Sequence, residues 1–191
     1  MGASFKSFLE VFKRAKKLEF PLEKREFLKE LKEGDPVLIS GWLLCGRDAT
    51  HQRILSSIER GCFDFDFTNQ AMYYVGPTPS PPQKIIGSVG PTTASRMDYY
   101  MEFLLKKGLC ATLGKGKRSK KVIELLKEYQ AIYLATFGGA GAFLSQFVEK
   151  VEPIAWEELG AEAFFRIKVS GFPAIVINSI YGGDFYEKIR K

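Results

Sequence analysis

The sequence is short of the residues that metal and redox chemistry usually need. It holds one histidine, His51, in 191 residues, which excludes a multi-histidine metal centre. Its three cysteines, Cys45, Cys62 and Cys110, lie far apart. That spacing argues against a disulfide framework and for a reducing, cytoplasmic setting, and it lacks the close pairing of a self-contained iron–sulfur site. No apolar run approaches the ~20 residues of a membrane span. Lys6, Lys13, Arg14, Lys16 and Lys17 interrupt the N-terminus where a signal peptide would carry its apolar stretch. Gly114-Lys-Gly is not a Walker A loop, and the glycines of 137–142 miss the dinucleotide fingerprint. No nucleophile–base pair and no carboxylate pair stands out.

What is present reads as an α/β domain. Residues 4–17 are amphipathic, with Phe5, Phe8, Leu9 and Phe12 on one face and cations on the other. They are expected to form an N-terminal helical extension, residues 1–18, ahead of a single compact domain over 19–191. A short helix over 23–32 stops at Gly34-Asp35-Pro36. Strands are expected over 36–44, 71–75, 84–89, 109–113, 131–136, 151–156, 165–169 and 173–178, from β-branched and aromatic content bounded by turn residues. Helices are expected over 52–60, from Pro91 to the Gly108 stop, over 122–129 and from the 137–142 glycines to about 148, with an acidic helical turn over 157–162. The prolines of 76–82 make a stiff, extended loop. Strands alternating with helices give the fold class.

Three loops at strand ends each carry a cation: Arg47, Arg96 and Lys115. Arg96 breaks a local rule, because a first helical turn disfavours a cation, and an anion at that point would account for it. Thr92 and Thr93 stand beside it, either able to cap the helix; Asp48 or Thr50 could cap the helix after Arg47. Plainer readings exist for each: Arg96 in solvent, Arg47 paired with Asp48 or Asp64, His51 packed or cap-bonded. Residues 106–127 hold eight cations against Glu124 alone, within a net charge of +6. Such a field attracts anions without naming them. Three fixed cations suit a small, multiply charged anion, and the chain has the look of half an active site.

The motifs Gly46-Arg-Asp-Ala-Thr-His51, Tyr74-Val-Gly-Pro-Thr-Pro79, Ile86-Gly-Ser-Val-Gly-Pro-Thr-Thr-Ala-Ser-Arg-Met-Asp98, Gly114-Lys-Gly116 with Arg118-Ser119, and Phe172-Pro-Ala-Ile-Val176 carry a resemblance. Over roughly 19–191 the chain resembles the β subunit, or C-terminal domain, of the class I fumarate hydratases, which are related to the L(+)-tartrate dehydratases. The resemblance implies a swivelling β/β/α domain and a hydro-lyase active only with an α subunit, which holds a 4Fe-4S cluster on its own cysteines. The unique iron would act as a Lewis acid on the substrate's hydroxyl and carboxylate. It further implies that Arg47, Arg96 and Lys115, with Thr93, hold a C4-dicarboxylate, fumarate or malate. Thr92 would take the C3 proton of malate, with Asp48, His51 and Gly90 in support. This chain would hold no metal and would pair with itself in an α2β2 assembly in the cytoplasm, without nucleic acid or membrane. Two features depart from the pattern: the extension at residues 1–17, and Gly141 and Phe143, where small residues such as alanine are expected. A tartrate-type dehydratase subunit, a phosphate- or nucleic-acid-binding module and a non-catalytic interaction protein are the competing readings.

Overall fold

The computed structural model describes residues 10–189. Its sheet has seven strands: β1 (Lys16–Phe20), β2 (Pro36–Cys45), β3 (Ala71–Tyr73), β4 (Ala111–Gly114), β5 (Ile132–Ala135), β6 (Val148–Ala155) and β7 (Phe164–Asn178). β1 to β5 run parallel in that order. β7 runs antiparallel to β2, to β5 and to β6. Because β7 pairs with both β2 and β5, the strands β2-β3-β4-β5-β7 close into a ring, with β1 and β6 as flanking wings. Closure leaves those five strands with few unpaired edges.

Alternation sorts the strand side chains into two cores. Leu43 and Cys45, Ala71 and Tyr73, Ala111 and Leu113, Ile132 and Leu134, Ala174 and Val176 share the inner one. Leu44, Met72, Tyr74 and Tyr133 face outward. There they meet Ile54 of α1 (Asp48–Glu59), Met101, Leu104 and Leu105 of α2 (Met101–Lys106), and Val122, Leu125 and Leu126 of α3 (Lys120–Glu128). Two short helices follow, α4 (Gly141–Leu144) and α5 (Phe185–Lys188). Among the described residues no helix is long and apolar enough to cross a membrane.

Three expectations change. Of the helix expected over 4–17, residues 4–9 lie outside the described residues, 10–12 are helical, and the last two positions start β1, where Leu18 and Phe20 turn inward with a strand's period of two. The two strands expected over 165–169 and 173–178 are one strand of 15 residues. Between Val169 and Phe172, β7 spends one residue more than β2 does between Gly41 and Ile39. The bulge, with Gly171 at φ +64°, moves the inward set from odd to even positions and so looks like a break in the sequence. Residues 84–89 form no strand. Pro77, Pro79, Pro81 and Pro82 opposite them have no N–H to offer a ladder, so Ser88 exchanges only two bonds with Thr78 and Val89 donates to Gly141 O at 3.1 Å.

Candidate functional site

The parallel strands β2, β3, β4 and β5 end at the same edge of the ring, and the candidate residues gather there. Thr92 is threaded between two strand ends: its N–H donates to Tyr74 O at 2.7 Å, and Lys115 N–H donates to Thr92 O at 3.2 Å. Ala94 N–H returns a bond to Lys115 O at 2.8 Å, so Thr93 pairs with Lys115 as a short parallel bridge. Backbone bonds therefore hold Thr92 and Thr93 beside Lys115. The Lys115 side chain is exposed, and no hydrogen bond or ion pair engages its ammonium among the described residues.

The chain after Thr93 is a 3-10 turn, Ala94–Tyr100, and becomes α-helical only at Met101. Neither threonine caps it through its side chain. The charge that balances Arg96 belongs to the protein: Nε and Nη2 donate to Asp48 Oδ1 and Oδ2 at 3.0 and 2.6 Å. That bidentate grip uses one edge of the guanidinium and leaves Nη1 free to engage an anion.

Arg47 occupies the N-cap position of α1 in place of Asp48 or Thr50. Its backbone N–H donates to Thr50 Oγ1 at 3.2 Å, and its Nη2 pairs with Glu162 at 3.1 Å, neither with Asp48 nor with Asp64. The same carboxylate accepts from Ala49 N–H at 2.7 Å, so Glu162 serves both the helix start and the arginine. Arg47 Nε is buried with no hydrogen-bond partner.

His51 is buried beneath Arg47, in ring contact with Tyr74 and Tyr100. Its Nδ1 lies 2.8 Å from Arg47 O, which can only accept, so Nδ1 carries the proton and Nε2 is left as an unsatisfied lone pair. Burial, reinforced by the Arg118 charge, outweighs the carbonyl bond and pushes its pKa down to about 4. Gly90 stacks on the loop after β5: a side chain at Gly141 would reach within 2.1 Å of Ser88 Oγ and 2.6 Å of Gly90 N. Alanine, expected at 141, has no room there.

The basic run over 106–127 is partly neutralised from elsewhere in the chain. Lys117 pairs with Glu187, Lys106 and Lys121 with Glu102, and Arg118, fully buried, with Asp98. The sequence hid Glu162, Asp98 and the burial of Arg118, since a carboxylate in an acidic turn and an arginine in a lysine run both look solvated. Among the described residues, no three His, Cys, Asp or Glu side chains cluster to hold a metal, and Cys45 and Cys110 are buried thiols with raised pKa values, the latter at about 12. The described residues do not fit an iron–sulfur cluster. A cleft of about 920 Å³ lies away from Arg47, Arg96 and Lys115, along β1 beside Phe27, Trp42 and Lys168. Among the described residues, Arg96 and Lys115 stand exposed at this edge of the ring.

The profile of the fumarase C-terminus family matches residues 6–189. Fumarate hydratase 2 of Leishmania major is 36% identical over 175 residues, which cover 90% of this chain and 31% of that protein. The aerobic class I fumarate hydratase of Escherichia coli (strain K12) is 34% identical over 155 residues, 80% of this chain and 28% of that protein. A putative L(+)-tartrate dehydratase subunit beta of Methanocaldococcus jannaschii is 32% identical over 171 residues, 86% of this chain and 88% of that protein. The chain thus spans about a third of the length of the fumarate hydratases it matches and nearly all of a β subunit. It belongs to the fumarase C-terminus family.

Proposed function

We propose that this chain is the β subunit of a class I fumarate hydratase, catalysing the reversible hydration of fumarate to (S)-malate together with an iron–sulfur α subunit in the cytoplasm. The observation that carries the reading is the stitching of Thr92 between Tyr74 and Lys115, with Arg96 and Arg47 on the neighbouring loops. On this reading the closed ring is a swivelling β/β/α domain that presents its strand ends to the α subunit.

The division of labour follows from the charges. Arg47, Arg96 and Lys115 offer three positive charges to the two carboxylates of a C4 acid, with the Thr93 hydroxyl as a further donor. Thr92 takes the proton from C3 of malate and returns it in hydration. A threonine hydroxyl is a weak base, so the step depends on cations aligned beforehand to stabilise both its alkoxide and the carbanion developing at C3. Asp48 holds Arg96, while His51 and Gly90 support the loops. The 4Fe-4S cluster is assigned to the α subunit, as is the chemistry at the hydroxyl group, and two copies of each chain make the assembly.

The test is an anaerobic assay of this chain co-expressed with a class I fumarase α subunit, following the loss of fumarate absorbance. The wild-type complex is expected to turn over, and Thr92→Ala to lower kcat by about 10²–10⁴-fold, the usual span for a lost acid–base group. Turnover by the α subunit alone, or an undiminished rate in Thr92→Ala, refutes the assignment. The coverage of the Methanocaldococcus β subunit favours tartrate as the second substrate to assay.

A further inference from the structure

Behind the exposed cations lies a buried one. The Arg118 side chain is wholly inaccessible, with Nε 3.1 Å from Asp98 Oδ1 and Nη1 donating to Ala94 O at 2.8 Å. Its guanidinium carbon sits 5.4 and 5.3 Å from the ring centroids of Tyr74 and Tyr133, a planar cation between two aromatic rings. Its polar contacts join two segments, and Tyr133 of β5 ties down the second of them. Asp98 Oδ2 accepts from Ser119 N–H at 2.9 Å, and Tyr133 Oη donates to Gly116 O at 2.8 Å. One segment, 92–98, carries Thr92, Thr93 and Arg96. The other, 114–119, carries Lys115. A buried ion pair is a poor way to gain stability, since apolar side chains of equal volume often do as well or better. What this one supplies is a fixed distance between two loops.

We propose that Arg118 is a positioning residue: clamped on Asp98 and Ala94 between Tyr74 and Tyr133, it sets the spacing between the Thr92 hydroxyl and the Lys115 ammonium. The proposal rests on the hydro-lyase reading above. Arg118 touches no substrate. Its effect reaches the reaction through the two loops, and misplacement by about 1 Å is enough to cost ~10²-fold in rate.

Arg25 provides a matched control. It makes the same kind of clamp at the opposite end of the strands, binding Asn69 Oδ1 at 2.9 Å, Tyr129 O at 3.0 Å and Gly108 O. The experiment compares Arg118→Lys with Arg25→Lys in the assembled complex, with folded fraction measured by circular dichroism and rates taken well below both melting temperatures. Arg118→Lys is expected to lower kcat per folded complex by about 10–100-fold, and Arg25→Lys to leave kcat and KM within about twofold while lowering Tm. A merely structural Arg118 predicts that both variants lose Tm and neither loses kcat, which overturns the proposal. If Arg118→Lys does not assemble, Tyr133→Phe carries the test: it keeps the packed ring, removes only the bond to Gly116 O, and is expected to lower kcat several-fold, whereas a wild-type rate overturns the proposal. An inactive wild-type complex brings down the hydro-lyase reading and this proposal together, while an active wild type with an unimpaired kcat in Arg118→Lys brings down the proposal alone.

Discussion

The two ends of the parallel strands treat arginine in opposite ways. At the amino ends, Arg25 spends Nε, Nη1 and Nη2 on three acceptors drawn from the loops before β3, β4 and β5. Each of its three nitrogens has a partner, and the residue is a fastener. At the carboxyl ends, Arg47 keeps a buried Nε without a hydrogen bond, Arg118 keeps Nε and Nη2 so, and the Lys115 ammonium stands in the open. Folded proteins satisfy nearly all their buried polar groups, so unpaired arginine nitrogens gathered on one edge are informative. On the proposed function, the exposed Lys115 ammonium and the free Nη1 of Arg96 face the ligand, while Arg25 serves the fold.

Acid tests that contrast most severely, because His51 lies only under the carboxyl ends. Its pKa is about 4 in the folded chain, against about 6.5 when unfolded. Between those values the unfolded state binds the extra proton, so stability must fall as pH drops from about 6.5 to about 4 and level off below. The loss amounts to about 3 kcal/mol at ~1.4 kcal/mol per unit. Urea titrations across that window should show the slope in the wild type and not in His51→Asn, whose amide can still donate to Arg47 O. Parallel slopes in the two proteins would mean that the unsatisfied Nε2 has a partner after all.

Two glycines sharpen the comparison on a single loop. Gly141→Ala drives a methyl against Ser88 Oγ and Gly90 N, with an expected cost of about 1–3 kcal/mol in overpacking and a shift of the loop that leads into Thr92. Gly139→Ala meets nothing within 4 Å, yet it must hold φ near +77°, which costs about 1–2 kcal/mol. The two variants should therefore melt lower by comparable amounts. Only Gly141→Ala should also lower the hydration rate, and equal rates would detach the 137–142 loop from the site.

Much of this end of the molecule was legible in the sequence, and the reasons are local. Strand-to-loop boundaries at Cys45 and Gly114 are written in apolar runs that stop at glycine and charge, so Arg47 and Lys115 could be placed at strand ends directly. Arg96 was visible as a rule-breaker, but its partner was not: Asp48 is 48 positions away, and pairing across that distance is decided by packing. The same holds for Glu162 with Arg47, 115 positions apart. Ring closure was invisible for a related reason, since the bulge near Gly171 breaks the alternation by which one strand would be known. Residues 84–89 misled because their apolar content suits a strand, while the deciding fact was the missing donors of the prolines opposite.

The smallest expected effect on stability comes from the contact that should matter most to affinity. Asp48 and Arg96 are half exposed, at 37% and 52% of their side-chain surface, and such pairs contribute about 0–1 kcal/mol. Asp48→Asn should thus leave Tm nearly unchanged. Its carboxylate, however, grips the Nε–Nη2 edge of Arg96, so the rest of the guanidinium is held in one orientation at the strand ends. An amide in its place keeps one acceptor oxygen where there were two. The KM for the dicarboxylate should then rise about tenfold, equivalent to ~1.4 kcal/mol, with kcat little changed. A lower KM in Asp48→Asn would show that Asp48 competes with the substrate for Arg96, and Arg96 would then be, like Arg25, an arginine already spent on the fold.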